Sequence, residues 1–192
     1  MPTHFFPLTV LTQHLEDETF ISEVLNFDEI SRFHTNEEAA RHSARVNAEI
    51  VLKNAYPPQL YSRIAPPGAG IREITLEIEP PKKTSVWRTP VSLKIHYVRI
   101  DREDGYFSAY VPALHITVLS RREKDFEAKI EAEIRSALRR DGWLKSLQYL
   151  RWLERIERLS LERSELAVYL PTAKQRAIAE ENDVEEEKSV FQ

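Results

Sequence analysis

The sequence contains no cysteine, only four glycines and one methionine in 192 residues, and no long apolar run. Without cysteine there is no disulfide, thiolate metal site or thiol nucleophile, and the chain fits a reducing cytoplasm, which is where we expect it. The glycines stand at 68, 70, 105 and 142, and neither Gly-x-x-x-x-Gly-Lys-Ser/Thr nor Gly-x-Ser-x-Gly occurs. A phosphate-cradling loop and an α/β-hydrolase nucleophile therefore have no support, and no cofactor is expected. No stretch approaches the ~20 apolar residues that span a bilayer, and the start Met1 to Pro7 lacks the basic flank of a signal peptide, so no membrane partner is expected. An excess of basic charge is missing too. With 31 acids against 27 bases and a net charge of -4, the chain is not a broadly basic nucleic-acid binder.

What is present is a substantial core-forming fraction, 42% hydrophobic against 30% charged, enough for one medium domain or two small ones. Phe5 to Leu15 is an extended stretch rich in β-branched and aromatic residues. After an acidic turn, Thr19 to Leu25 is a second, and Glu29 to Phe33 a short third. Thr35-Asn36-Glu37-Glu38 reads as a capping box that opens a helix to about Asn54. Prolines and glycines between Tyr56 and Gly70 break the pattern, and Ile74 to Ile78 supplies one more strand before Pro80.

The same order recurs after Pro90. Val91 to Ile100 is extended and is followed by a hairpin signal, Asp101 to Gly105. Tyr106 to Val111 and His115 to Leu119 are strands, and Ser120-Arg121-Arg122-Glu123 reads as a second capping box. The next helix carries Phe126, Ile130, Ile134 and Leu138 on one face, and Leu166 to Leu170 is a closing strand before Pro171. Phe20 aligns with Phe107 at an offset of 87, Thr35 with Ser120 at 85, and Ala48 with Ala132 at 84. The expected fold is α+β: two repeated β-β-β-α-β units, over 5–80 and 90–172. An amphipathic helix is inserted in the second at 142–159, where Glu154 and Arg158 are spaced for an i,i+4 pair. Residues 173–192 read as an acidic linker or tail, in which Glu180 to Lys188 is too polar and self-repelling to bury anything.

Thr35-Asn36-Glu37-Glu38-Ala39-Ala40, leading to Ala44 and Ala48, is similar to the helix start of the HicB-type antitoxin family. Gly105 to Leu114 (GYFSAYVPAL) is similar to that family's second-strand motif, in which a proline follows the strand. The resemblance covers about 50 residues of each copy and implies tandem units of a partial ribonuclease-H-like fold. It implies binding of a toxin or RNA as one function. No DNA-binding ribbon-helix-helix or helix-turn-helix is evident, and His115-Ile116 stands where the family has Gly-Cys.

Six histidines, at 4, 14, 34, 42, 96 and 115, show no His-Glu-x-x-His spacing, and Asp17, Asp101 and Asp104 sit in turns that favour acids for their own geometry. No catalytic or metal residue is assigned. The second helix and its flanks mix seven bases with six acids, a solvated face in which a nucleic-acid edge requires Arg121, Arg122, Arg139 and Arg140 to line up. The favoured reading is a non-catalytic module that grips a protein partner or substrate, through a free sheet edge or an aromatic helix face carrying Trp143 and Trp152. A homo-oligomer is a further arrangement that twofold similarity suggests. The tail's look suggests the N-terminal, substrate-recruiting or regulatory region of a larger cytoplasmic Clp-like AAA+ ATPase; the alternative is a HicB-type antitoxin-like protein acting alone.

Overall fold

A computed structural model describes residues 3–27, 33–54, 68–81, 87–102 and 105–169. The chain is α+β. In order, the elements are β1 (Thr3–Leu15), β2 (Phe20–Val24), α1 (Glu37–Asn54), β3 (Ala69–Ile78), β4 (Val91–Asp101), β5 (Phe107–Val111), β6 (Ile116–Ser120), α2 (Phe126–Arg140), α3 (Leu147–Leu153) and β7 (Ile156–Tyr169). They form two antiparallel sheets, ordered β2-β1-β7 and β3-β4-β5-β6.

Strand pairing runs across the boundary read between residues 80 and 90. β3 lies against β4 from Ala69↔Ile100 to Ile78↔Val91. β7 lies against β1 from Thr3↔Tyr169 to Leu15↔Ile156. The first of these follows from the short connection, since strands consecutive in sequence tend to pair. The second brings apolar residues together: Leu161 stands opposite Leu11 and Leu166 opposite Phe6, each pair within one apolar cluster.

The two sheets are built in the same register. Every β4–β5 pair reproduces a β1–β2 pair shifted by 87, as in Val98↔Tyr110 against Leu11↔Glu23 and Asp101↔Phe107 against His14↔Phe20. Pairs made by β3 and β7 correspond at a shift of 90, as in Leu76↔Leu93 against Leu166↔Phe6. The bridge Phe20↔His34 corresponds to Phe107↔Ser120, a shift of 86 in the second partner. The buried helix faces, Ala40, Ala44, Ala48 and Leu52 against Phe126, Ile130, Ile134 and Leu138, also differ by 86. Ser120 thus matches His34 rather than Thr35, and Ala48 matches Ile134 rather than Ala132.

Period-2 alternation in the strands and a four-residue apolar repeat in the helices build four layers. α1 packs its alanine face and Leu52 on Phe6, Leu8, Val10 and Val24 of the first sheet. That sheet's other face, with Leu11, Leu15, Ile156 and Leu159, meets Val98 and Ile100 of the second sheet. The far face of the second sheet, with Leu93, Ile95, Ala109 and Val118, is covered by α2 and α3.

Several local expectations are corrected. The first helix is capped by Asn36, whose Oδ1 accepts from Ala39 N at 2.9 Å. The second capping box does not form: Ser120 ends β6, its Oγ accepts from Arg122 N at 3.2 Å, and a 3-10 turn at Glu123–Asp125 precedes α2. The expected helix at 142–159 is divided. Gly142, at φ +77°, ends α2 with the left-handed residue that stops a helix. A 3-10 turn covers Trp143–Lys145, Ser146 caps α3, and the chain is already strand by Ile156. Arg158 therefore points from β7 to His14 and makes no pair with Glu154, which accepts from Lys94 N at 3.3 Å. β3 begins at Ala69 and takes Gly70 into the sheet opposite Arg99. The expected strand at 29–33 falls outside the described residues except for Phe33, as do the proline-rich stretch before Gly68, residues 82–84, Leu170 and the segment 173–192.

Because each sheet takes one strand from the other half, residues 1–81 and 82–192 expressed apart should both give the poorly dispersed amide spectra of unfolded chains, and co-expression should restore dispersion. A folded 1–81 fragment on its own would contradict the pairing.

Candidate functional site

The residues singled out for partner binding fall at three places. Tyr149 and Trp152 lie three apart on the outer face of α3, 52% and 58% exposed, while Leu150 and Leu153 point inward and are buried. With the half-buried Trp143 of the preceding 3-10 turn, Asp141 and Gln148, they line a shallow hollow of about 480 Å3. The Arg155 guanidinium lies 4.2 Å from the Trp152 ring centroid, a cation–π contact at the surface. Arg140, hydrogen-bonded to Asp141 at 2.9 Å, keeps the Asp141 carboxyl below the usual carboxylate range.

Arg121 and Arg122 lie before α2, where Arg121 stacks 4.8 Å from the Tyr106 ring centroid. Arg139 and Arg140 are in the last turn of the same helix. At 1.5 Å rise per residue the two pairs are roughly 20–25 Å apart. The structure does not bring the four arginines to one edge.

A second site escaped the sequence reading. Where the two sheets meet, a cleft of about 520 Å3 is lined by the polar side chains of Glu23, Asn26, Ser108, Tyr110, His115 and Thr117 over an apolar base that includes Ile100 and Phe27. Glu23 and Tyr110 occupy corresponding positions, 87 apart, in β2 and β5. Glu23 is 4% exposed. Its Oε2 accepts from the Tyr110 hydroxyl at 2.9 Å and its Oε1 from Gln13 Nε2 at 3.3 Å. The Tyr110 oxygen is in turn 3.3 Å from His115 Nδ1, so a His115 tautomer protonated at Nδ1 completes a chain from the cleft mouth to the buried carboxyl.

The backbone at the mouth is unusual. Asn26 and His115 both have left-handed φ, 69° and 50°. That conformation favours glycine and disfavours a side chain by roughly 1 kcal/mol, less for asparagine. Both residues nonetheless carry side chains that line the cleft.

Burial pushes the Glu23 carboxyl up to about 7 against the opposing hydrogen bonds from Tyr110 and Gln13, and no cation offsets it. Burial, then the neighbouring Glu23 charge, raises the Tyr110 hydroxyl well above its ordinary value. A carboxyl that changes charge near neutral pH, in a cleft with a phenol, an imidazole and two hydroxyls, is a concentration of polar chemistry at a concave site. No three His, Asp or Glu side chains converge among those residues to hold a metal ion. No described helix is long and apolar enough to cross a membrane.

The chain matches no protein-family model, no curated protein and no solved structure. One signal in the sequence pointed to Glu23: in TFISEVL it shares the strand face of Ile21 and Leu25, a polar residue in an apolar row.

The folded state holds the Glu23 proton more tightly than the unfolded chain does. Its contribution is complete below about pH 4.5 and is lost as pH rises through about 7, by roughly 3 kcal/mol in all. Urea unfolding at pH 5 and pH 8.5 should show the Glu23→Gln variant gaining on the wild type by about that amount at the higher pH. An unchanged difference between the two proteins would show that the carboxyl does not titrate in this range.

Proposed function

We propose that the chain is a protein-recognition module, without catalysis of its own, which grips extended apolar polypeptide on the aromatic face of α3. The observation that carries this reading is the pair Tyr149 and Trp152, both more than half exposed beside a hollow while their neighbours Leu150 and Leu153 anchor the helix. Large aromatics have few rotatable bonds, so they lose little conformational freedom on binding while they remove much apolar area from water, which is why they dominate interface energetics. Unfolded or partly folded clients present such apolar segments.

We read the scaffold as two HicB-like β-β-β-α-β units that have exchanged their closing strands. The shifts of 87 for the hairpins, 86 for the helix faces and 90 for the closing strands support this. As a wider setting we propose a substrate-recruiting or regulatory region of a cytoplasmic AAA+ ATPase, supported by the charged composition of Glu180 to Lys188 as a linker. The separation of Arg121 and Arg122 from Arg139 and Arg140 favours a protein partner over RNA.

A fluorescein-labelled unfolded client, reduced and carboxymethylated α-lactalbumin, serves as the probe, with binding read by anisotropy. The Trp152→Ala and Tyr149→Ala variants should each bind roughly tenfold more weakly while their melting temperatures stay within a few degrees, since the removed groups are largely in solvent. Equal binding by wild type and both variants would sink the reading. RNA binding that falls steeply with salt, without client binding, would favour the antitoxin-like alternative.

A further inference from the structure

We propose that the cleft between the two sheets is a binding site for a single aliphatic cation, an ammonium or guanidinium group, with Glu23 as its counter-ion. The site is separate from the aromatic face of α3 and does not rest on the polypeptide reading. Three observations point to it. Glu23 is buried at 4% exposure yet lines an open cleft, and its two hydrogen-bond donors, Tyr110 and Gln13, are neutral. An ionised carboxylate in such a place is stabilised by a cation, and none of the charged side chains among the described residues supplies one.

The remaining lining suits that class of ligand. The Ser108 and Thr117 hydroxyls and the Asn26 side-chain carbonyl can accept the N–H donors that Glu23 leaves over. The Ile100 and Phe27 side chains offer an apolar wall for the methylene stem of an amine or of a lysine or arginine side chain. An anion would meet a buried carboxyl, and a purely apolar ligand would cover the Asn26, Ser108 and Thr117 side chains while offering them no hydrogen bond. The left-handed backbone at Asn26 and His115, where glycine would be the relaxed choice, keeps those two side chains at the mouth.

The cation can come from a free amine or from a side chain of a polypeptide, and matched neutral analogues separate chemistry from source. At pH 8, n-butylamine, which is an ammonium cation at that pH, is titrated against n-butanol, in which a neutral hydroxyl replaces the ammonium. In parallel, a short unstructured peptide with one central arginine is titrated against the same peptide with citrulline. Both titrations use the full chain and follow the ring resonances of Tyr110 and His115 by NMR. The cationic member of at least one pair should bind roughly tenfold more tightly than its neutral partner and shift both rings. The Glu23→Gln variant should erase that ratio.

A preference for n-butylamine over n-butanol identifies a free amine as the source, and a preference confined to the arginine peptide identifies a side chain. Equal binding of cationic and neutral members in both pairs overturns the proposal, and so does a ratio that survives in Glu23→Gln. Should that variant fail to fold, the wild-type comparison decides alone, and the absence of any shift at Tyr110 and His115 overturns the site.

Discussion

Each sheet is completed by a strand from the opposite half of the sequence, and the remaining architecture depends on that pairing. β7 runs the length of β1, and β3 the length of β4, so neither sheet is whole without the other half. The two sheets are thereby brought face to face, and the apolar row of Leu11, Leu15, Ile156 and Leu159 is buried against Val98 and Ile100. Burial of this kind, at about 25 cal/mol per Å2 of apolar surface, is the main favourable term holding the seam closed.

The apolar seam is interrupted by the polar cleft of Glu23, Ser108 and Tyr110. Glu23 and Tyr110 sit at the same register of their respective hairpins. A buried carboxyl bonded only to neutral donors is a departure from good packing, and it coincides with two left-handed residues at the cleft mouth. Two of the three left-handed non-glycine residues among the described ones line this hollow beside the buried carboxyl, so local costs gather there.

Much of the fold was legible in the chain. β1, β2, β4, β5 and β6 follow from alternation and β-branched content, and α2 follows from Phe126, Ile130, Ile134 and Leu138, all buried. Partner choice between strands was not legible, because ITLEI and LAVYL carry similar patterns and either could lie beside β1 or β4. The segment after Gly142 misled for a related reason: leucines every third residue fit a helix, but from Ile156 onward pairing with β1 outweighs local periodicity. The aromatic face was partly legible, since Trp152 and Trp143 were identified and Tyr149 was not. Glu23 was missed because its burial comes from the second sheet, far away in sequence, although its position in the row of Ile21 and Leu25 was a usable sign.

The long-range pairing of β1 with β7 also sets an order of events at the ribosome. β3, β4, β5, β6 and α2 are near neighbours in sequence, with hairpin connections that close quickly. β1 and its partner residues on β7 are about 140–165 residues apart. At 5–20 residues per second, β1 emerges roughly 10–30 s before the strand that shields its edge is made. During that interval Phe6, Leu8, Val10 and Leu11 are nascent apolar surface without their native cover on that side, so co-translational holding by a chaperone is where this topology places its main biosynthetic demand.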